Sequence, residues 1–265
     1  MARLFSASGL RALTLRALVA VVYGFLFVPI LVVLAFSFDG SSIPIYPLND
    51  LTTKWYAQLF GQYFDSYMQP LFNSLQVAFM TSIVATVLGA MAGFAMSRYD
   101  FPGSDVYPFV LATPAMVPPL ITGIALLGFL SQTLGVRMSL FTTALGHIVL
   151  TMPFAAFIVA GQLGPEEDYE RAARDLGANT LAVVREVTLP LLAPALLASV
   201  LITFTISLGE SAMVFLLSGS KTVLPIALQS RLASTITPRF NAISMVVIVL
   251  TFGLFAIAEV MRRRF

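Results

Sequence analysis

The sequence predicts an all-α polytopic membrane protein, and three observations carry that prediction. Of its 265 residues, 58% are hydrophobic and only 11% are charged. Mean hydropathy is +0.90. The apolar residues also fall in blocks longer than a soluble core requires. A bilayer core of roughly 30 Å takes about 20 apolar residues per helix, and such runs recur along the chain. In hydrocarbon the backbone must satisfy its own hydrogen bonds, so helices are the spanning form that suits these runs. A net charge of +2 does not point to nucleic acid, because the arginines lie beside the spans. With no cysteine in the chain, disulfides, iron–sulfur clusters and thiol chemistry are excluded.

Six spans are expected, over about 16–38, 71–97, 106–130, 140–163, 191–217 and 240–261. The first follows Arg3, Arg11 and Arg16. Its apolar run from Ala17 to Phe36 is too long for a signal-peptide core, although Ala35 and Ser37 form a weak cleavage-type pair. It is read as a retained helix. Between the first two spans, Asp39 to Gln69 contains Pro44, Pro47, Trp55, Tyr56, Tyr63 and Tyr67. That composition suits a short amphipathic element whose aromatic rings sit at headgroup level.

The third span is interrupted by Thr113-Pro114-Ala115-Met116-Val117-Pro118-Pro119. Proline removes a backbone donor and clashes with the preceding turn, so a kink or an unwound stretch is expected. Broken helices in transporters line central sites, which makes Pro114 and Pro118 candidates for a pathway; a purely structural kink is the alternative. The fourth span holds the only histidine, His147, and a weaker hinge candidate at Met152-Pro153. One imidazole without cysteines or clustered carboxylates makes no metal site, so His147 is read as a helix-packing hydrogen bond. The fifth span contains Glu210 beside Ser207, Gly209 and Ser211. An ionised carboxylate at that depth needs a partner or a watery cavity. Glu210, with Ser207 and Ser211, either lines a route open to a cation or is paired structurally. Arg262, Arg263 and Arg264 close the sixth span.

Orientation follows from the basic residues. With the N-terminus inside, ten of them (Arg3, Arg11, Arg16, Arg98, Arg171, Arg174, Arg185 and Arg262 to Arg264) face the cytoplasm. Five (Lys54, Arg137, Lys221, Arg231, Arg239) face the other side. Both termini are therefore expected in the cytoplasm.

Residues 164–190 form a polar island between spans. Pro165 suits a first helical position, and Glu166, Glu167 and Asp168 sit against the positive end of the helix dipole. Ala172, Ala173 and Leu176 give a small apolar face. Gly177 is placed where a left-handed cap ends a helix, and Asn179 or Thr180 can start the next one, running to Leu189. Pro190 then permits the following span to begin. A polar helix–glycine–helix elbow needs a docking partner, and a protein is the natural one.

The series Arg171-Ala172-Ala173, Gly177, Val187 and Leu189-Pro190 resembles the EAA loop of permease subunits of binding-protein-dependent ABC importers, with matching glycine-to-Leu-Pro spacing. One position departs. The family carries an acid immediately before the alanine pair; here Arg171 stands there, and Glu170, one residue earlier, is the candidate to replace that acid in part. The resemblance implies the type I importer permease fold, with 1–265 as one transmembrane permease domain in a bacterial cytoplasmic (inner) membrane. It implies a coupling element made of Glu170, Arg171, Ala172, Ala173, Asp175, Gly177, Leu189 and Pro190. It also implies as partners a second permease, usually a different chain, two cytoplasmic ATPase subunits and an extracytoplasmic substrate-binding protein, besides membrane lipid. ATP and Mg would be bound by the ATPase partner, since this chain has no G-x-x-x-x-G-K-[ST]. Gly219-Ser220-Lys221-Thr222 lacks the second glycine and is read as a polar turn.

Phe36-Ser37-Phe38, Thr52-Thr53-Lys54-Trp55-Tyr56, Gly146-His147-Ile148, Phe204 to Glu210 and Thr222-Val223-Leu224-Pro225-Ile226 are similar to the spermidine/putrescine branch of the family. Glu210 matches an acidic position of that branch; Gly209 departs from it, since an acid often stands there as well. A small solute, a polyamine, is thus the expected cargo, with 2-aminoalkylphosphonate, an opine-like solute or ferric iron as alternatives within the class. Outside it stand an ATP-independent carrier or channel and a non-transporting assembly protein. An intramembrane enzyme finds no H-E-x-x-H, no G-x-S-x-G and no pair of membrane aspartates.

Overall fold

The computed structural model describes residues 7–43, 45–48, 50–163, 167–232 and 237–263. Among them every regular element is helical, apart from an isolated bridge between Asp39 and Leu51. Five helical stretches are long and apolar enough to cross a membrane: Thr14–Ser37, Phe64–Arg98, Leu140–Leu163, Thr180–Gly209 and Pro238–Arg262. A bent pair, Tyr107–Met116 with Pro119–Thr133, makes the sixth. The chain divides into two compact units, residues 1–64 with 234–249 and residues 65–233 with 250–265.

The first unit contains α1 (Ala7–Ser37) and α2 (Lys54–Phe60), with the opening half of the last helix. No residue in the most apolar window of α1 is buried. A helix apolar on all sides and uncovered by its own chain is suited to lipid or to another subunit. The loop after α1 folds back on itself. Thr52 N–H donates to the Phe38 carbonyl (2.8 Å), Trp55 Nε1 to the Asp39 carbonyl (2.6 Å) and Tyr56 Oη to Ser37 Oγ (2.8 Å). Trp55 is therefore buried. Its indole N–H has found a protein carbonyl, and the ring is covered by Lys54, 4.4 Å from the ring centre. The Arg239 guanidinium lies 4.2 Å from the Tyr63 ring.

The second unit is built on α3 (Gln69–Arg98), α6 (Leu140–Leu163) and α9 (Leu189–Gly209). Between α3 and α6 lie α4 (Tyr107–Met116) and α5 (Pro119–Leu127). Between α6 and α9 lie α7 (Glu167–Asp175) and α8 (Thr180–Val183). After α9 come α10 (Ala212–Leu217), α11 (Leu224–Leu232) and α12 (Pro238–Arg262), which runs from one unit into the other. Small residues let α3 and α6 approach closely. A Cβ at Gly89 would lie 2.6 Å from that of Ala155, and one at Gly93 would strike the Ala156 carbonyl. Without a hydrophobic drive between helices in lipid, such backbone approach is a main source of helix association. Val159 and Leu163 of α6 pack with Leu192 and Ala195 of α9.

Two expected spans are not single helices. In the third, the break falls at Val117 (φ −81°, ψ 135°) and Pro118 (φ −52°, ψ 131°), and the limbs meet at 94°. Each of these residues precedes a proline and is driven to extended backbone. Pro114, by contrast, lies inside α4. The fifth span starts earlier than expected, at Thr180, and ends at Gly209; residues up to 217 belong to the separate α10. Met152-Pro153 makes no break, since α6 is unbroken from Leu140 to Leu163.

Two π turns, Phe64–Met68 and Val184–Thr188, each precede a helix whose second residue is proline, Pro70 and Pro190. Proline has no N–H for the turn below and its ring crowds that turn. A widened turn just before it accommodates both, so Pro190 continues the helix from Thr180 and does not restart it.

Gly93→Val should lower the apparent melting temperature of the purified protein by several degrees, since overpacking costs about 1–3 kcal/mol. Gly253→Ala, where nothing lies within 4 Å of the added carbon, should leave it unchanged. Equal shifts in thermal unfolding scans would show that the α3–α6 approach is not limiting.

Candidate functional site

The polar island folds as the expected elbow, and its capping follows from the sequence. Gly177 takes φ +91°, the left-handed region that glycine enters without a Cβ penalty. Its N–H donates to the Arg174 carbonyl (2.9 Å), and Ala178 N–H donates to the Ala173 carbonyl (3.0 Å). This pair of bonds is the Schellman closure of a helix C-terminus. Asn179, not Thr180, caps α8, its side chain accepting from Ala182 N–H at 2.9 Å. Gly164, Pro165 and Glu166 lie outside the described residues, so the expected proline start does too. The first described residue of α7 is Glu167.

The two faces of α7 differ. Outward lie Tyr169, Arg171, Ala172 and Asp175, followed by Leu176 at 89% exposure and Gly177; Leu181 of α8 is 76% exposed. Ala173 is half-buried, while Leu189 and Pro190 are exposed at the start of α9. Glu170 points the other way and is only 2% exposed. The sequence places it in the coupling set beside Arg171, but a helix turn of about 100° per residue separates neighbours, and Glu170 is not part of the exposed face.

Glu170 is instead the centre of a buried polar cluster. Arg98, the last residue of α3, donates from Nε to Glu170 Oε2 (3.2 Å) and from Nη1 to the carbonyl of Leu163, the last residue of α6 (2.9 Å). Thr188, closing the π turn before α9, donates to Glu170 Oε1 (2.8 Å). Arg174 Nη2 stands 3.9 Å from the same carboxylate, from a half-exposed side chain. Arg98 Nη2 is buried, with no hydrogen-bond partner among the described residues. Arg98 and Thr188 escape sequence reading because the contacts span up to 72 residues. The one signal is a lone arginine closing an apolar helix.

The second grouping surrounds Glu210. This residue is not inside a helix, as the sequence suggests, but in the break between α9 and α10, with φ −74° and ψ 128°. Gly209 weakens the helix end, and the acid side chain competes for backbone donors. The carboxylate accepts from Ala212 N–H (2.8 Å) and Met213 N–H (3.0 and 3.2 Å), capping α10. Its Oε2 also lies 3.2 Å from His147 Nε2, too poorly aligned for a good hydrogen bond. His147 Nδ1 and Ser207 Oγ share a bond of 2.7 Å, joining α6 to α9 in a buried site. Ser211 is half-buried at the start of α10. Pro114 and Pro118 make no polar contact with this group among the described residues; the helices after the two breaks, α5 and α10, pack together where Gly123 meets Met213.

Residues 85–265 match the family described as binding-protein-dependent transport system inner membrane component. The chain belongs to this family. It is 28% identical over 251 residues to the spermidine/putrescine transport system permease protein PotC of Haemophilus influenzae, covering 94% of this chain and 96% of that one. With PotC of Escherichia coli it shares 29% identity over 91% of each chain. The sulfate transport system permease protein CysT of Salmonella typhimurium is 31% identical over 67% of this chain and 70% of its own. Among solved structures, the MetNI methionine ABC transporter in inward-facing conformations aligns with TM-score 0.65 and 19% identity, over 77% of this chain and 98% of that one. An ABC transporter involved in import of the acidic polysaccharide alginate aligns with TM-score 0.58 and 15% identity, over 98% and 99%.

The fold is thus that of type I ABC importer permeases. The region matched to this inner membrane component family contains the elbow, the Glu170 cluster and both helix breaks; α1 and α2 precede it. Among the described residues no three His, Asp or Glu side chains are grouped to hold a metal ion.

Because His147 and Ser207 are buried partners, their removal should not be additive. Ser207→Ala and His147→Phe are each expected to destabilise the protein, with a coupling of about 1 kcal/mol in a double-mutant cycle. Additive losses in thermal unfolding would show that the 2.7 Å contact contributes nothing.

Proposed function

We propose that this chain is one half of the membrane pathway of an ATP-driven importer and that its cargo is a polyamine. The exposed elbow from Tyr169 to Leu181, presented at one end of a helical bundle, is the observation that carries the coupling part. Its apolar tips, Leu176 and Leu181, have no cover from the described residues of their own chain, and the alanines leave the helix thin enough to lie in a groove. An ATPase subunit is the proposed occupant. It would supply bound ATP and Mg, while this chain catalyses nothing.

The full machine in this reading has a second permease, two such ATPases and an external binding protein. The basic-residue count supports an orientation with both termini and the elbow in the cytoplasm. ATP binding would close the ATPase pair, move the elbows and open the pathway toward the loaded binding protein. The polyamine assignment rests on similarity to PotC over more than nine tenths of the chain and on the acid Glu210 at the α9–α10 break. Glu210, Ser207 and Ser211 are its proposed cation-facing group, with the Pro118 break beside it. The similarity to a sulfate permease supports a second reading, an anionic cargo on the same scaffold.

The test is ATPase stimulation in the reconstituted importer with its binding protein, presented in turn with spermidine, 2-aminoethylphosphonate, octopine, sulfate and ferric iron. Stimulation by spermidine is expected, with a several-fold loss in Glu210→Gln. Stimulation by sulfate or another anion alone would retain the importer and sink the polyamine assignment. If no ATPase subunit co-purifies, the coupling reading itself fails.

A further inference from the structure

We propose that Glu170 is a positioning residue, one end of an internal strut that carries movement of α7 into the membrane helices; this rests on the importer reading above. Four facts support it. Glu170 is buried, so it cannot be a contact for a docked partner. Each of its oxygens is committed to a different element: Oε2 to Arg98 at the end of α3, Oε1 to Thr188 at the start of α9. Arg98 holds the end of α6 as well, through the Leu163 carbonyl. One carboxylate therefore ties α7 to the ends of all three helices that build the second unit.

The mechanics follow from the cost of separating a buried ion pair. Pulling Glu170 off Arg98 would leave two uncompensated charges out of water, which is strongly unfavourable. Displacing the helix ends along with α7 keeps the pair closed. The backbone leaves α7 through Gly177, whose left-handed closure ends the helix, so no continuous helix joins α7 to α8. Force on α7 is thus better transmitted through the side-chain strut than along the chain. Arg98 Nη2, buried and with no partner among the described residues, lies on the same guanidinium edge as a spare donor. A small rotation of α7 would turn the single Nε bond into a two-bond fork, so the pair can hold while the angle between the helices changes.

The strut also links the two groupings of the site. Thr188 directly precedes α9, and Glu210 directly follows it. A helix of 21 residues is about 30 Å long at roughly 1.5 Å per residue. Movement at Thr188 is passed along α9, which carries Pro194 in its second turn, to the break that holds Glu210 and Ser211.

The experiment uses the assembled importer, with Ser211→Cys as the single cysteine of a chain that has none and with cysteine-free partners. Maleimide labelling at that position is timed with and without ATP plus vanadate. A nucleotide-dependent change in labelling rate is expected with Glu170 in place, falling at least three-fold in Glu170→Gln and partly recovered in Glu170→Asp. The double variant Arg98→Met/Glu170→Met removes both buried charges. It should assemble as well as the parent yet keep the weak nucleotide response. A parental response in Glu170→Gln, or in the double variant, would overturn the strut. So would loss of assembly in both, which would make the pair purely structural. Absence of any nucleotide effect in the parent importer would bring down the importer reading and the strut together.

Discussion

A backbone in hydrocarbon has no water to fall back on, and the breaks within the apolar spans are shaped by that constraint. Where helices stop, the stranded donors and acceptors have been given partners. Glu210 takes the first N–H groups of α10. The glycine closure at Gly177 takes the last carbonyls of α7. Arg98 takes the final carbonyl of α6. Where prolines would open a helix, π turns absorb them at Pro70 and Pro190. The breaks that remain are thus stable features of the fold, and they coincide with the candidate functional groups.

The two acids at those breaks are held by different physics. Glu170 sits between two guanidinium groups with one hydroxyl donor, and removing either member of such a buried pair typically costs about 3–5 kcal/mol. Glu210 relies mainly on backbone N–H groups at the start of a short helix, with His147 as a close neighbour. Backbone donors are fixed in direction and neutral, so they stabilise the carboxylate without cancelling its charge. At the Glu170 cluster the charge is already spent on Arg98. One acid is held by a guanidinium and a hydroxyl, the other mainly by backbone N–H groups.

Fold and elbow were legible because their signals are local. A run of apolar residues, a glycine fourteen residues past a span and a Leu-Pro pair each fall within a short window, and the hydrophobic segments emerge near the expected positions, except that the fifth begins and ends earlier. What failed was the outcome of local competition between backbone states, and anything set by contacts distant in sequence. Glu210 in a 27-residue apolar stretch, 191–217, looks like an intramembrane acid; only the folded chain shows the break, because the cap on α10 competes with the helix through it. Pro114 and Pro118 look alike in sequence, yet only the doubled constraint at Val117-Pro118-Pro119 bends the span. Trp55 reads as an interface aromatic, and its hydrogen bond to the Asp39 carbonyl, 16 residues away, has no local sign. The Glu170–Arg98 pair has no local signature at all.

The one-residue displacement of the acid in the elbow now has a structural meaning. Counting back from Gly177, the resembling family carries its acid where Arg171 stands here. Moving the carboxylate to position 170 rotates it by about 100° about the helix axis, from the exposed side of α7 to the buried one. The interior thereby acquires the anion that neutralises Arg98, while the outer face acquires a cation. The exchange changes the sign of the charge at one point of the proposed docking face without altering its shape, which the alanines, Leu176 and Gly177 still determine. Shape specifies that such an elbow can lie in an ATPase groove; charge specifies which groove. The same displacement that builds the internal strut would narrow the choice of ATPase.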